Sequence, residues 1–298
     1  MRRRTPGLLS VLLLVALMAC GGPAEPSPSA PANTVRFASY DFPENQILVE
    51  VYAEAARRAG IPVSIQHGIG TREVVSPALQ QGVVDVVIDY VGTALTFARL
   101  TTQDQTREPA EMHAELSRTL GHTGVAVLDM AEAEDQNGFA VTTAFSAEND
   151  LAKLSDLADL AGSLTFGGPP ECPDRPFCLL GLEEVYGLQF GEVVSMTSRA
   201  ATVEALQAGL IDVGLLETTD ARLTVSPIRL LIDDRGLQPP ENVVPLVRTA
   251  TLDRFGDQLR TALDEVSARL TTNDLRQLNR AVEIDGQSPA EAALGWWG

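Results

Sequence analysis

The sequence predicts an α/β protein with two lobes that face one ligand cleft. The first observation is a helix–glycine–strand unit that occurs twice, because residues 78–86 and 205–213 are identical at six of nine positions. The second is that polar residues follow each strand of this unit, at the edge where open α/β sheets bind ligands. The third is size, since 298 residues with 45% hydrophobic content can form two modest cores. Independent origin of two common helix–turn–strand sequences is the alternative to a repeat.

Local signals define the first unit. Thr71 is a suitable N-cap residue and Gly82 a suitable stop, so a helix is predicted between them. The apolar run Val83–Ile88 then predicts a buried strand that ends at Asp89 and Tyr90. A carboxylate and a ring are therefore expected at the carboxyl end of a strand, where they can face a ligand.

Hydrophobic periodicity predicts the other elements. Strands are predicted at 35–39, 61–65, 125–128, 164–166, 210–216 and 228–233. Helices are predicted at 44–58, 108–121, 154–161, 252–270 and 272–282, and a further helix begins after Thr197 or Ser198. Alternation of strands and helices is typical of α/β sheets.

The charge of the chain argues against nucleic acid as a partner. The formal net charge is −18, and it falls to −21 if Arg2, Arg3 and Arg4 are removed with a signal peptide. Binding to phosphates needs a basic face, which this composition does not favour. An acidic surface of this kind favours solubility and attracts cations mildly.

Residues 1–19 predict a secretory signal peptide. Three arginines precede an apolar run from Gly7 to Ala19, which is shorter than the about 20 residues that span a bilayer. Leu17–Cys20 resembles a bacterial lipobox, in which the cysteine is lipidated; a chance cysteine after an ordinary signal peptide is the alternative. Residues 20–34 are rich in Gly, Pro, Ser and Ala, and we expect them to tether the protein to the extracytoplasmic face of the cell membrane.

Four motifs carry a family resemblance. They are FPENQILxExYA (42–53), GTREVVxPALQQG (70–82), DYVGTAL (89–95) and DQNGFAV (135–141). In this order they resemble the substrate-binding lipoproteins of ABC importers for glycine betaine, choline, carnitine and related osmoprotectants. The resemblance extends over the chain from Val35 onward.

The resemblance implies a type II periplasmic-binding-protein architecture, with two lobes, two crossing strands and a ligand clamped between the lobes. It also implies delivery of the ligand to the transmembrane subunit of an ABC permease, with no chemistry on the ligand. Residues 35–136 plus 245–298 are assigned to lobe 1, and residues 137–244 to lobe 2. The first crossing is expected at 135–141, with Gly138 as a hinge, and the return crossing near 239–247.

The resemblance and the strand ends together predict the ligand site. A quaternary ammonium group cannot donate a hydrogen bond, so its site needs ring faces and negative potential. Relatives often have rings where this chain has Asn137 and Glu217, and a lysine at the loop position of Tyr40. The candidate substrate-binding residues are Tyr40, Phe42, Tyr90, Thr93, Asp135, Asn137, Arg175 and Glu217.

These departures leave two ligand classes open. One is a betaine, choline or a similar quaternary amine. It would need a cage rebuilt with rings from Tyr40, Phe42, Tyr90 and Phe177 and with charge from Asp135 or Glu217. The other class comprises polyols, polyamines and amino-acid-like cations.

The loop that contains Cys172 and Cys178 is expected to close as a disulfide, because the protein is exported and the two cysteines are near in sequence. A metal site is the rival interpretation, but no histidine lies nearby. The family commonly has an arginine at the position of Arg175 that reaches a ligand carboxylate. A surface ion pair of Arg175 with Asp174 or Glu171 is the alternative.

An enzyme is not expected, and no cofactor or metal is predicted. The nucleophile–base sets and clustered metal ligands of hydrolases are not visible, which leaves Asp135 and Glu217 as the one pair that could act as general acid and base. A sensory lipoprotein of the same fold without a transport role is a further alternative. The expected partners are a small solute, an ABC permease and the membrane through a lipid anchor, and the protein is expected to be a monomer.

Overall fold

The computed structural model describes residues 33–99 and 108–298. The predicted signal peptide, the lipidated Cys20 and most of the 20–34 tether lie outside these described residues. Within the described ranges, no helix combines the length and the apolar character that a membrane span requires.

The strands of the described part form two five-stranded sheets. They are β1 (Val35–Ala38), β2 (Val63–Gln66), β3 (Val86–Tyr90), β4 (Val125–Val127), β5 (Asn137–Thr142), β6 (Thr165–Gly168), β7 (Glu192–Ser195), β8 (Val213–Glu217), β9 (Ile228–Leu231) and β10 (Val243–Arg248). The sheet of lobe 1 has the order β2-β1-β3-β10-β4, and the sheet of lobe 2 has the order β7-β6-β8-β5-β9. In each sheet the fourth strand is antiparallel to both of its neighbours, and the other pairings are parallel.

Helices cover the faces of both sheets. They are α1 (Pro43–Arg58), α2 (Arg72–Gln81), α3 (Val91–Arg99), α4 (Pro109–Gly121), α5 (Thr143–Glu148), α6 (Leu179–Gly181), α7 (Arg199–Gln207), α8 (Thr249–Ser267), α9 (Thr272–Glu283) and α10 (Pro289–Trp297). A π-helical turn, Leu182–Tyr186, continues α6, and short 3₁₀ turns occupy Leu154–Leu157, Ala161–Ser163, Cys172–Asp174 and Ala221–Thr224.

Two chain segments cross between the lobes and lie side by side. Glu134 forms an antiparallel bridge with Asn242, and beyond these residues the chain enters β5 on one side and β10 on the other. β10 pairs with β3 from Val243 onward and is thus part of the first sheet. The predicted crossings are therefore present, while the division at 136/137 and 244/245 remains a prediction.

The predicted repeat is confirmed by equivalent positions in the two sheets. β3 and β8 are both five residues long and both occupy the third place in their sheet. Before each strand an aspartate carboxylate accepts a hydrogen bond from a backbone N–H of the neighbouring strand: Asp85 from Arg36 at 3.0 Å, and Asp212 from Thr165 at 2.8 Å. The shared aspartate of the repeat therefore has a structural role, which is to join adjacent strands.

The predicted bounds of α2 are confirmed, although the Thr71 hydroxyl donates to Glu73 at 2.6 Å and does not cap the helix. The strand after α2 is shorter than predicted. Thr71 precedes α2, and Gly82 follows it in the left-handed conformation with φ of 77°, which glycine adopts without steric cost. The N–H of Val83 still bonds to the carbonyl of Ala78 in the last helical turn, so pairing in β3 begins only at Val86.

Several other elements differ from the predictions. The predicted helix at 154–161 is instead a pair of 3₁₀ turns, and the Asp156 carboxylate caps the first of them by accepting from the backbone N–H groups of Ala152 and Lys153. Helix α3 was not predicted at all, since it begins directly after β3 without a polar N-cap residue.

The core of lobe 1 anchors the C-terminal tail. Tyr52 is fully buried on α1, and its hydroxyl shares a hydrogen bond with the Ser267 hydroxyl at 2.9 Å. Trp297 donates from Nε1 to the carbonyl of Val51 at 3.1 Å, and the Arg58 guanidinium lies 4.8 Å from the centre of its ring. Trp297 therefore holds α10 against α1.

Lobe 2 contains the predicted disulfide. Cys172 and Cys178 are bonded, with their Cα atoms 5.3 Å apart, and both side chains are buried. The bond closes the loop that carries Arg175 and Phe177 at the edge of the interlobe cleft.

Candidate functional site

A cavity of about 320 Å³ opens between the two lobes. Its lining comes from both lobes and from both crossing segments. The residues are Phe42, Arg72, Tyr90, Thr93, Asp135, Gln136, Asn137, Phe177, Glu217, Gln238, Pro239 and Glu241. We call this space the ring chamber because three aromatic side chains line it.

The cleft continues past Phe42 into a second space of about 470 Å³. Phe42, Asp135 and Glu217 line both spaces. We call the second space the acidic chamber because carboxylates outnumber arginines in it. Its other functional groups are Glu44, Arg199, Thr219, Asp220, Arg222, Asn279 and Glu283.

Three rings form a row on the lobe 1 side. The ring centres of Tyr40 and Phe42 are 5.9 Å apart with an angle of 10° between the planes, and those of Phe42 and Tyr90 are 6.3 Å apart at 28°. Phe42 and Tyr90 line the ring chamber, whereas Tyr40 is 2% exposed and lies outside that lining. Tyr40 therefore stacks against Phe42 without lining the ring chamber itself.

Asn45 brings this row together. Its Oδ1 accepts from the backbone N–H of Tyr40 at 2.8 Å, and its Nδ2 donates to the carbonyl of Ile88 at 2.8 Å. The loop after β1 is thereby tied to the end of β3, which places Phe42 beside Tyr90. Pro43 starts α1 immediately after the loop, as proline commonly does at the first helical position.

The Tyr90 hydroxyl is engaged inside lobe 1. It donates to Glu44 Oε1 at 2.5 Å, and Asn279 Nδ2 donates to the other carboxylate oxygen at 2.6 Å. Burial raises the pKa of Glu44, and the donors from Tyr90 and Asn279 oppose that rise. The phenol oxygen of Tyr90 is therefore occupied, and its ring is the part that lines the chamber.

Thr93, in the first turn of α3, forms a hydrogen-bonded pair with Glu241. Glu241 accepts from the Thr93 backbone N–H at 3.0 Å and from the Thr93 hydroxyl at 2.7 Å. Burial raises the pKa of Glu241 to about 7. Gly92 makes this contact possible, because a Cβ at that position would lie 2.6 Å from the carbonyl oxygen of Pro240 and 3.0 Å from Glu241 Oε1.

Asp135 stands where the two chambers meet. Its Oδ1 accepts from the Thr219 hydroxyl at 2.9 Å. Burial, together with the nearby carboxylates of Glu44 and Glu217, raises the pKa of Asp135 well above its usual range. Asp135 is the charged residue that the first crossing segment contributes to the cleft, beside Gln136 and Asn137.

Two arginines in the cleft are already neutralised. Arg72 donates from Nη2 to Asp89 Oδ1 at 2.5 Å, and Asp89 also accepts from the Tyr40 hydroxyl at 2.5 Å. Arg199 donates from Nε to Glu217 Oε1 at 2.7 Å. Glu217, at the end of β8, thus faces the cleft as half of an ion pair.

Arg175 lines an adjoining space of about 440 Å³ that also borders Asn137 and Phe177. Its side chain is exposed, and among the described residues no carboxylate lies within 4.0 Å of its guanidinium. Asn137 Nδ2 donates to the carbonyl of Phe177 at 3.3 Å, and Gln238 Nε2 donates to the same oxygen at 3.0 Å. Asn137 therefore helps to position the Phe177 ring.

The family model for the substrate binding domain of ABC-type glycine betaine transport systems matches residues 33–298. The chain belongs to this family. The glycine-betaine-binding protein of Pseudomonas aeruginosa is 26% identical over 89% of this chain and 87% of its own length. The carnitine transport binding protein OpuCC of Listeria monocytogenes is 25% identical over 96% and 93%, respectively.

Solved structures show the same fold. A crystal structure of a glycine betaine/carnitine/choline ABC transporter protein superposes with a TM-score of 0.81 at 22% identity, over 88% of this chain and 97% of that one. Apo YehZ from Escherichia coli gives a TM-score of 0.79 at 22% identity, over 89% and 98%. The predicted two-lobed type II periplasmic-binding-protein fold is confirmed. Proteins of this family are extracytoplasmic substrate-binding components of ABC importers.

The structure brings six of the eight predicted substrate-binding residues to the ring chamber. They are Phe42, Tyr90, Thr93, Asp135, Asn137 and Glu217. Tyr40 and Arg175 line neighbouring spaces. The roles of all eight toward a ligand remain predictions.

Sequence reasoning missed Glu241, Arg72, Glu44 and Gln238 as cleft residues. A partial signal existed for Glu241, which follows two prolines within the predicted return crossing. Arg72 and Glu44 lie in the first turns of α2 and α1, Gln238 lies in the loop between β9 and β10, and nothing local distinguishes them from surface residues. Among the described residues no group of three or more His, Cys, Asp and Glu side chains is arranged to hold a metal ion.

Proposed function

We propose that this protein captures a small quaternary-amine osmoprotectant, or a related cationic or zwitterionic solute, in its interlobe cleft and delivers it to an ABC permease. The observation that carries the proposal is the combination of ring faces and carboxylates in one chamber. Phe42 and Tyr90 approach from lobe 1, Phe177 approaches from lobe 2, and Asp135 lines the same chamber. Glycine betaine and carnitine are the ligands that the names of two relatives state.

Ring faces suit a quaternary ammonium group because it has no N–H to donate. A desolvated cation over an aromatic face gains about 2 kcal/mol, and nearby carboxylates add negative potential without requiring a hydrogen bond. A volume of about 320 Å³ is at the small end of the range for ligand pockets, roughly 300–1,000 Å³, which fits a small solute.

A clamp that closes on the ligand would couple capture to delivery. Because the rings belong to different lobes, a ligand that contacts Phe42 and Phe177 together stabilises the closed arrangement over the open one. The paired crossing segments at Glu134 and Asn242 are the natural hinge for such a motion. A permease can then distinguish the loaded protein by its closed shape.

Arg175 is our candidate contact for the carboxylate of a zwitterionic ligand. It is exposed beside Phe177 and has no ion-pair partner within 4.0 Å among the described residues. Guanidinium groups bind carboxylates with two parallel hydrogen bonds, which makes an unpaired arginine beside the cleft suitable for this role.

We further propose that the protein acts as a monomer on the extracytoplasmic face of the membrane, anchored by lipid on Cys20. The lipobox-like Leu17–Cys20 and the tether that follows support this. The Cys20→Ser variant should appear in the soluble fraction or remain as an unprocessed precursor, measured by membrane fractionation and immunoblotting. Processing and membrane partition equal to wild type would contradict the lipid anchor.

A thermal-shift screen tests the ligand class. The mature protein is screened against betaine, choline, carnitine, proline betaine, ectoine, polyols and polyamines, and hits are titrated by calorimetry. A ligand at 100 times its Kd should add about 2.7 kcal/mol of stability. Binding of a quaternary amine that weakens in Phe177→Leu, and not in Phe255→Leu on α8, supports the cleft as its site. Stabilisation by polyols alone would reject the amine, and turnover of any compound would reject a pure binding protein.

A further inference from the structure

Most of the basic side chains in the cleft already form ion pairs with carboxylates of the protein. Arg72 pairs with Asp89 and Arg199 pairs with Glu217, each at 2.5 Å. Arg222 lies 3.1 Å from Asp220 and 3.5 Å from Glu283. Each of these arginines is therefore neutralised within the protein and offers little positive potential to a ligand.

Three cleft carboxylates, in contrast, have no basic partner within 4.0 Å among the described residues. They are Asp135, Glu241 and Glu44. Their hydrogen-bond donors are neutral groups, namely hydroxyls, one amide and one backbone N–H. When these carboxylates are ionised, the cleft carries more negative than positive charge that is not neutralised.

A second observation concerns the balance of donors and acceptors. Asn279 is 4% exposed and lines the acidic chamber, where its Nδ2 donates to Glu44 and to the carbonyl of Thr219. Its Oδ1 has no donor among the described residues. Because both donor bonds fix the orientation of the amide, this part of the cleft has acceptors in excess of donors.

We propose that this cleft selects a solute with a net positive charge, such as a quaternary ammonium alcohol, over a zwitterion that carries a carboxylate. This inference rests on the proposed function and narrows its ligand class. A cation in the ring chamber compensates the charge of Asp135 and Glu241. A zwitterion brings the negative charge of its own carboxylate into the same space.

Few basic groups in the cleft are available to bind the carboxylate of a zwitterion. Arg72 and Arg199 are each ion-paired with a carboxylate of the protein. Arg175, our candidate contact for a ligand carboxylate, lines the adjoining space and not the ring chamber, so only a zwitterion that extends into that space could use it. A carboxylate that remained in the chamber would face Asp135 and Glu241, and like charges at short range are costly in a partly desolvated site. The arrangement therefore disfavours the zwitterion without excluding the quaternary ammonium group itself.

Protonation links this selectivity to pH. Burial raises the pKa of Asp135, and the facing carboxylates of Glu44 on α1, Glu217 on β8 and Glu241 raise it further. Arg199 is the positive charge on the same side. A cation favours the ionised form of Asp135, so its binding should release protons and strengthen as pH rises.

The surroundings of the other two carboxylates act in the same direction. Glu241 faces Thr93 and the negative charge of Asp89, while Arg72 lowers its pKa only in part. Glu44 faces Tyr90, Asn279 and the charge of Glu217, and Glu283 on α9 lies within range of Glu44. All three carboxylates have raised pKa values, so a net cation is the ligand that restores their charge.

The test compares choline with glycine betaine, which share a trimethylammonium group and differ in the presence of the carboxylate. Calorimetric titrations of the mature protein at pH 6, 7 and 8 give Kd for both. At pH 8 we expect choline to bind at least about tenfold more tightly than glycine betaine, which corresponds to about 1.4 kcal/mol. The ratio of the two Kd values should become smaller at pH 6. At pH 7 the enthalpy of choline binding should depend on the ionisation enthalpy of the buffer, because protons are released.

Two neutralising variants and a control complete the design. Asp135→Asn and Glu241→Gln should weaken choline binding about tenfold and leave glycine betaine binding unchanged or tighter. Glu192→Gln, at an exposed carboxylate on β7, should change neither Kd. The pH and buffer series on the wild-type protein needs no variant, so a failure of either variant to fold leaves the inference testable.

The possible results distinguish failure of the net-cation inference from failure of the proposed function. Glycine betaine binding as tight as choline binding at pH 8, or choline binding without proton release, overturns the net-cation inference and leaves the quaternary-amine function intact. Failure of both ligands to bind, with no other amine bound, rejects the proposed function and this inference with it.

Discussion

Glu241 offers a quantitative test of the electrostatics of the cleft. Its carboxylate is buried at the return crossing, and its hydrogen-bond donors are the hydroxyl and backbone N–H of Thr93. Burial raises its pKa from 4.5 to about 7. The folded protein therefore holds a proton on Glu241 over a pH range in which the unfolded chain has released it.

The sign and the size of the effect follow from this displacement. Between pH 4.5 and pH 7 the folded state binds more protons than the unfolded state, so the free energy of unfolding decreases as pH rises. A displacement from 4.5 to about 7, at about 1.4 kcal/mol per pH unit, corresponds to about 3 kcal/mol of lost stability above pH 8. Glu241→Gln keeps an acceptor for Thr93 and removes the titration. The variant should match wild type near pH 4.5 and exceed its stability by about 3 kcal/mol at pH 8.

Urea unfolding of ligand-free protein at several values between pH 4.5 and pH 8, followed by circular dichroism, measures the difference. Asp135 and Glu44 also have raised pKa values and contribute to the pH dependence of wild type, so the informative quantity is the difference between variant and wild type. Glu192→Gln is the control and should show no such difference. A Glu241→Gln variant that is no more stable than wild type at pH 8 would refute the reasoning.

Three further predictions concern a ring, a buried ion pair and the disulfide. Tyr90→Phe should lower the free energy of unfolding by about 1–3 kcal/mol because Glu44 loses a donor, while affinity for a quaternary amine is retained; Tyr90→Leu should weaken that affinity roughly 30-fold, measured by calorimetry. Asp85→Asn should destabilise the protein by about 3–5 kcal/mol at pH 7, and the deficit should shrink at acid pH because the pKa of Asp85 is lowered in the fold. An undiminished deficit at pH 3 would contradict this. Thiol titration of the unreduced mature protein should find Cys172 and Cys178 blocked, and a double Ser variant should lose about 2 kcal/mol of stability; two reactive thiols would contradict the bond.

Signals that act over a few residues were readable from the sequence. The bounds of α2 follow from Thr71 and Gly82, because a helix end is decided by local backbone hydrogen bonds and by the conformations that a residue can adopt. The repeat was readable for the same reason, since each copy contains its own helix stop, strand and aspartate. The order of strands in both sheets then agreed with two equivalent units.

Features that depend on contacts between residues distant in sequence were predicted less well. Helix α3 starts at Val91 without a polar cap, because the backbone N–H of Val91 bonds to the carbonyl of Asn242 on the return crossing. No local pattern contains that partner. Tyr40 and Phe42 lie in one loop and were both predicted as cage rings, and the loop alone does not show which of them lines the ring chamber. The side chain of Asn45 holds the loop so that Phe42 does.

The sequence by itself determined that this chain has two α/β lobes joined by two crossings, with polar groups at the strand ends. Only the tertiary structure decided which of those groups face one another. Thr93 and Glu241 are 148 residues apart, and Asn279 reaches Glu44 across 235 residues. Helix and strand signals are local because backbone geometry and hydrogen bonding are local. Whether a carboxylate is paired or unpaired depends on burial and on charges that the whole fold brings within a few ångströms.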